Sequence, residues 1–305
     1  MRLLAPCLYV ERVNRLHDSQ IELEPEDISD VIEKRFPEWK DLPLARIDST
    51  GTVNYIYQLG DEMVVRIPMV EWGSTDITRD AQILPMLAPL LPVDVPNLLG
   101  HGAPAGKVPW DWGIYTWLPG RHPVLGDTKD EDAVAAGLIE LVAFVRMVAA
   151  PATLTAPIDA IANQDETTRP KVHAIGSKAL DDAWAAAVDN LAPKGKTVFI
   201  HGDLMPGNLL LTETGTHPRL TGVVDWASAG IGDPALDLLP AWSCLTSCTR
   251  GTFLSALGAK EDEIARARGY GARKVAWGLH YYADSLPEFS AVLQFILDQI
   301  EDDAG

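Results

Sequence analysis

Two hydrophobic rhythms divide the chain. Residues 25–39 place Ile28, Val31, Ile32 and Arg35 along one face at helical spacing. Short apolar runs follow at 53–59 and 63–67 with Gly60-Asp61 between them, which predicts a hairpin. A helix is expected through residues 78–84, and a further strand at 114–118 runs into Pro119-Gly120. From residue 132 onward the rhythm becomes helical. Its longest apolar segment, residues 132–150, is interrupted by Glu140 and Arg146, so it reads as a core helix rather than a membrane span. Within this helical portion lie three brief strand-like runs, 198–200, 209–211 and 220–224, the last two separated by a polar turn over 212–218. Asp233-Pro234 has the form of a helix start, a capping carboxylate followed by proline in the first turn. These elements predict an α+β chain, β-rich at first and mainly helical afterwards.

Composition narrows the class. A chain of 305 residues, 47% apolar, can hold two bodies with ample core. A formal charge of −18 argues against a general nucleic-acid binder. It suits a cationic small molecule or serves only solubility, and both readings stay open. Cys7, Cys244 and Cys248 cannot all pair, and the last two lack zinc or redox spacing. The first ten residues are mildly apolar but run straight into Glu11 and Arg12 without a cleavage pattern. A cytoplasmic protein, monomeric or homodimeric, with no membrane or nucleic-acid partner, is the expectation.

The chemistry concentrates in one stretch. His201-Gly202-Asp203 is followed by Asn208 five positions after the aspartate, and Asp225-Trp226 closes the third apolar run. Strands on either side would bring the three polar side chains to one end of the sheet. In kinase-type phosphoryl transfer one aspartate orients the attacking hydroxyl, while an asparagine and a second aspartate hold Mg²⁺ on the nucleotide phosphates. Asp203 takes the catalytic role, and Asn208 and Asp225 the metal-holding one. The remaining histidines, His17, His101, His122, His173, His217 and His280, show no metal-ligand spacing. No Asp-Phe-Gly or Ala-Pro-Glu segment is present, which makes a peptide acceptor improbable.

This pattern resembles the aminoglycoside phosphotransferase family of antibiotic kinases, with macrolide phosphotransferases as relatives. The resemblance rests on His201, Gly202, Asp203, Asn208, Asp225 and Trp226, and continues through residues 230–238 and 64–68. It implies a two-lobed protein-kinase-like fold with a nucleotide-binding lobe at 1–117 and a catalytic and acceptor lobe at 118–305. It also implies ATP or GTP as donor and Mg²⁺ as cofactor. His201 would support the loop, and Asp237 would brace it by accepting backbone N–H groups. Ser49, Thr50 and Gly51 fall where a kinase loop covers the phosphates. Arg66 stands where the phosphate-binding lysine is expected, with Asp80, or less favourably Glu71, as its partner. Thr116 and Trp117 would neighbour the base through backbone groups. Acceptor contacts are expected among Trp242, Trp277, Tyr281 and Asp284, a set more aromatic than acidic, which suits a macrolide better than a polycationic aminoglycoside. The implied function is transfer of a γ-phosphate to a hydroxyl of such an antibiotic. The alternatives are a metabolite kinase acting on choline, a sugar or an amino alcohol, and an inactive nucleotide-binding module.

Overall fold

Residues 15–47, 51–191 and 197–304 are described by the computed structural model of the chain. The candidates Ser49 and Thr50, and Cys7, lie outside the described residues.

The first helix, α1 (Pro25–Arg35), buries Ile28, Val31 and Ile32, the face its spacing predicts. Pro25 starts it because a first-turn N–H has no helical acceptor to lose. Residues beyond Arg35 leave the α-helix for a single 3₁₀ turn, Pro37–Trp39. Strands β1 (Leu44–Arg46), β2 (Asn54–Leu59), β3 (Met63–Pro68), β4 (Leu98–Gly102) and β5 (Trp112–Thr116) form one antiparallel sheet in the order β1-β2-β3-β5-β4. The β2–β3 hairpin turns at Gly60, whose φ of +61° suits glycine. Arg66 therefore projects from an interior strand, paired with Ile56 on one side and Gly113 on the other. A Cβ at Gly113 would come within 2.6 Å of the Tyr115 ring, so the absent side chain makes room for that tyrosine near Arg66.

Helix α2 (Asp76–Leu87) intervenes between β3 and β4. Beyond β5 come α3 (Thr128–Val145), α4 (Ile161–Ile175), α5 (Lys178–Asp189), β6 (Val198–Ile200), β7 (Leu209–Thr214), β8 (His217–Val223), β9 (Gly230–Gly232), α6 (Pro240–Ser243), α7 (Ser247–Ala256), α8 (Glu261–Gly278) and α9 (Pro287–Asp302). The 212–218 turn is shorter than its polar composition suggests: β7 and β8 pair out to Thr214 and His217, leaving Gly215-Thr216 as the connection. Exposed hairpin ends tolerate polar residues, which is why composition misplaced the strand ends. Asp233 does cap, accepting from the Ala235 N–H at 3.1 Å, but the element it opens is a 3₁₀ turn, Pro234–Leu238, followed by the short α6 that begins at Pro240.

Two apolar cores result. One lies between the sheet and α1, around Tyr57, Val65, Ile67 and Trp112. The larger fills the helical portion around Leu138, Trp184, Trp226 and Trp242, and it also takes Ile77, Ile83, Leu84 and Leu87 of α2. Helix α2 thus belongs to the second core while carrying side chains that meet β3. No helix among the described residues is long and apolar enough to cross a membrane. Cys244 and Cys248 are free, and burial pushes the Cys244 thiol up to about 12.

Candidate active site

The loop from β6 to β7 is held from beneath. Asp237 is fully buried, and its two carboxylate oxygens accept the N–H groups of Gly202 at 2.8 Å and His201 at 2.9 Å. Burial pushes its carboxyl up, while those two hydrogen bonds favour the charged form. Gly202 has a φ of +82°, and a Cβ there would lie 2.8 Å from the Ser228 carbonyl, so the turn needs glycine for both reasons. His201 is buried beside Trp226, with ring centroids 4.4 Å apart. Its Nδ1 accepts from the Asp203 N–H at 3.2 Å, which places the ring proton on Nε2, and Nε2 donates to Val224 O at 3.2 Å. Both nitrogens are spent on structure, so His201 has no base to offer.

Asp203 leaves this frame with its side chain 27% exposed. The Asn208 amide donates to its Oδ2 at 3.2 Å and to its backbone carbonyl at 2.8 Å. On the opposite flank, Lys274 Nζ of α8 reaches Oδ1 at 2.6 Å. Burial would push the Asp203 carboxyl up, but the Lys274 ammonium and the Asn208 amide hold it below the usual carboxylate range. Such an aspartate is ionised at neutral pH and a weak base, suited to orienting a hydroxyl.

Asp225 sits one backbone hydrogen bond away, because the Val224 N–H donates to Asn208 O at 3.0 Å. Among the described residues it alone, apart from glycines, has positive φ, at 62°. Aspartate tolerates this left-handed region better than most side chains, and such strain gathers at functional turns. Its Oδ1 accepts from Arg66 Nη2 at 3.0 Å, while Arg66 Nη1 donates to Asp80 Oδ2 at 3.3 Å. The shorter aspartate still meets the arginine because Tyr115 holds it, its hydroxyl donating to the same oxygen at 2.8 Å. Asp80 is 1% exposed, and its Oδ1 bonds nothing among the described residues. Burial pushes the Asp80 carboxyl up against the pull of Arg66. For Arg66 burial disfavours the charge, and Asp225 and Asp80 more than restore it. Glu71, the other partner considered, lies exposed in the 3₁₀ turn Glu71–Thr75.

Three residues here have no precedent in the sequence reading. Tyr115 and Lys274 are two, and Arg79 is the third: from α2 its guanidinium donates to Ala227 O and Thr155 O, each at 3.0 Å, and to Ala229 O. That fork ties α2 to the segment following Asp225. Arg79 was within sight, one position before Asp80, but its acceptors are backbone carbonyls, which no sequence pattern marks.

Other candidates fare differently. The Thr116 N–H donates to Asn97 O at 2.9 Å and that of Trp117 to Glu62 O at 2.7 Å, so neither can donate to a base, and only their carbonyls remain. The next N–H, that of Leu118, bonds no acceptor among the described residues. Gly51 is exposed at the entry to β2. Trp242 cannot touch an acceptor: it is completely buried, and its indole N–H donates to Asp303 at 3.3 Å. Aromatic residues at helical spacing mark a core more often than a ligand, and this one fills the larger core. Trp277 is exposed and bonds Thr168 Oγ1 at 3.1 Å, with Lys171 Nζ 4.4 Å from its ring. The exposed Tyr281 gives its hydroxyl proton to Leu16 O at 3.0 Å and touches His17, a seam with the N-terminal segment. Asp284 is exposed.

The oxygen donors fit a hard cation. Asn208 spends its amide N–H groups on Asp203 and keeps Oδ1, and Asp225 keeps Oδ2. Mg²⁺ is held by one or two protein oxygens and completes its shell with phosphate and water. A site of this kind needs no cluster of three His, Cys, Asp or Glu residues, and none occurs among the described residues.

Known proteins share this fold. The GDP and kanamycin complex of APH(2")-IIia superposes with a TM-score of 0.70 at 18% identity, covering 91% of this chain and 98% of that one. Macrolide 2'-phosphotransferase MphH from Brachybacterium faecium gives 0.58 at 22% identity over 90% and 97%. At such identities the likeness is one of fold, and the fold is the two-lobed, kinase-like α+β architecture expected from the sequence. Viomycin phosphotransferase of Streptomyces vinaceus is 49% identical over 63 residues, 21% of this chain. The matched stretch spans about a fifth of the length of the curated relatives. A family model described as "Phosphotransferase enzyme family" matches residues 45–272, from the start of the sheet through Arg66, Asp203, Asn208 and Asp225, and the chain belongs to that family.

Proposed function

We propose that this chain transfers the γ-phosphate of ATP or GTP to a hydroxyl of a small molecule, with Asp203 as the catalytic residue. One observation carries the reading. Asp203 stands partly exposed between an oxygen-and-arginine side, formed by Asn208, Asp225, Arg66 and Asp80, and a side facing α8, where Lys274 meets its Oδ1. A donor phosphate on the first side and a hydroxyl on the second would lie in line across its carboxylate, which is the requirement of phosphoryl transfer.

On the donor side Asn208 Oδ1 and Asp225 Oδ2 would hold Mg²⁺, which when bound neutralises phosphate charge. Arg66, kept charged and aimed from the middle of the sheet, would reach the phosphates in place of lysine. Its planar fork can serve a carboxylate and a phosphate together. Asp80 and Tyr115 fix its direction. The Leu118 N–H and the carbonyls of Thr116 and Trp117 form the edge offered to the base, and Gly51, with Ser49 and Thr50 beside it in sequence, supplies the covering loop. Asp203 receives the acceptor hydroxyl and orients it, and its lowered basicity fits a loose transition state that needs little nucleophile activation.

Relatives described with kanamycin, and the viomycin phosphotransferase and macrolide phosphotransferase names, favour an antibiotic acceptor and a role in resistance. A metabolite acceptor is favoured by a different observation, the basic residues on the α8 side. A cytoplasmic enzyme, monomeric or homodimeric, is part of the same proposal. The deciding experiment is Asp203→Asn in an assay of nucleotide consumption with antibiotics and hydroxylated metabolites as acceptors. Loss of a positioned catalytic carboxylate should lower kcat by about 10²–10⁴-fold, with Mg²⁺-nucleotide affinity retained. Near-normal turnover in the variant would refute the assignment.

A further inference from the structure

The acceptor side of Asp203 carries charge of an unexpected sign. Basic residues number 25 against 43 acidic ones in the whole chain. Yet the face of α8 turned toward the catalytic loop presents Tyr270, Arg273, Lys274 and Trp277 at spacings of three, one and three residues, a single helical stripe. Lys274 holds Asp203 at 2.6 Å. Trp277 bonds Thr168 of α4 and carries Lys171 of that helix against its ring.

Arg273 is the residue without an account. Its Nε donates to Gln164 Oε1 of α4, and no carboxylate lies within ion-pair distance of it among the described residues. Its two Nη groups bond no described residue and are not sealed from solvent. The side chain is only partly exposed, and burial lowers its pKa. A half-buried guanidinium is costly unless an anion pairs with it, and here the nearby carboxylates of Asp159 and Asp203 favour the charge without closing an ion pair on it. The fork is thus left to solvent, one residue from Lys274 and within electrostatic reach of Asp203.

We propose that Arg273 and Lys274 form an oxyanion subsite on the acceptor side of Asp203, so that the phosphorylated hydroxyl belongs to a molecule bearing a carboxylate or phosphate rather than to a polycation. The proposal rests on Asp203 being the residue that receives the acceptor. Arg273 binds the oxyanion through its Nη pair. Lys274 keeps one N–H on Asp203 and turns the others toward the ligand, so that it ties the anion to the catalytic carboxylate. A polyammonium acceptor would meet two fixed cations at the same place and be repelled.

The test is isothermal titration of the protein, with and without Mg²⁺ and a non-hydrolysable ATP analogue, using D-gluconate as carboxylate probe, glucose 6-phosphate as phosphate probe and kanamycin as polycation. At least one anion should bind and kanamycin should not, and the two anionic arms separate carboxylate from phosphate. Arg273→Gln should weaken the binding anion by about 10–100-fold, the worth of a charge-assisted hydrogen bond. Arg273→Lys should restore much of that loss, and affinity for the analogue should stay unchanged in both variants. Kanamycin binding more tightly than either anion, failure of both anions, or an anion affinity untouched by Arg273→Gln would overturn the proposal. So would a Gln variant that loses preference for the analogue over ADP, since the cations would then serve the donor. Failure of the analogue itself to bind would count against the proposed function, while the nucleotide-free arm still decides the anion site.

Discussion

At the scale of single residues, the loop that carries Asp203 could be located from sequence because its residues lie close together along the chain. His201, Gly202, Asp203 and Asn208 lie within eight consecutive positions, and a loop that short allows few ways to arrange them. Lys274 could not be found the same way, since its contact with Asp203 spans 71 residues and nothing in the surrounding sequence sets it apart from an ordinary exposed lysine. Trp242 shows the opposite error, an aromatic side chain noticed for chemistry that burial had assigned to packing. Gly202 provides a sharp check on the loop. Alanine there must adopt a φ of +82° and bring Cβ to 2.8 Å from Ser228 O. Gly202→Ala should cost about 1–3 kcal/mol in a denaturant titration and lower kcat more than the nucleotide KM, because Asp203 follows directly. A variant with unchanged stability and turnover would show that the turn is not constrained as described.

At the scale of elements, the strands and the first helix were predictable from periodicity, but the way helices meet the site was not. Helix α2 reads as an amphipathic segment, and its pattern does not reveal that Ile77, Ile83, Leu84 and Leu87 join the larger core while Asp80 meets the sheet at Arg66. That double duty lets α2 hold the Asp225 turn through Arg79. Its guanidinium satisfies the carbonyls of Ala227, Thr155 and Ala229, groups otherwise left without these bonds near the seam. Arg79→Ala should therefore destabilise the protein by roughly 1.5–3 kcal/mol, in line with hydrogen bonds from a charged donor. It should also raise the Mg²⁺ concentration needed for half-maximal activity, since Asp225 loses its brace. Arg79→Lys should rescue little, because one ammonium cannot span carbonyls on two segments. Metal dependence measured for the three proteins distinguishes this from a general loss of stability.

At the scale of the whole molecule, the two cores meet across a cluster of carboxylates arranged about one arginine. Arg66 comes from the sheet, Asp76 and Asp80 from α2, and Asp225 from the turn that follows β8. One guanidinium bonded to two carboxylates gives the third, Asp76, no direct bond, and burial pushes its carboxyl up to about 7 against the pull of Arg66 and Arg79, with Asp225 and Asp80 adding to the rise. The unfolded chain would release that proton near 3.8, the ordinary value. Between these two pH values the folded state binds more protons than the unfolded one, so stability from this group is fullest in acid and falls as pH climbs to about 7. Asp76→Asn, a neutral side chain of the same shape, should abolish that fall. The variant should match the parent near pH 4 and exceed it at pH 8 by on the order of 2 kcal/mol, allowing for partial exposure. Denaturant midpoints of both proteins across this range provide the measurement, and a difference that does not grow with pH would remove Asp76 from the cluster's balance. The sequence, with its formal charge of −18, signals that acidic residues abound. Only the fold decides which of them crowd a single cation at the seam, because that depends on elements as much as 159 residues apart arriving at one point.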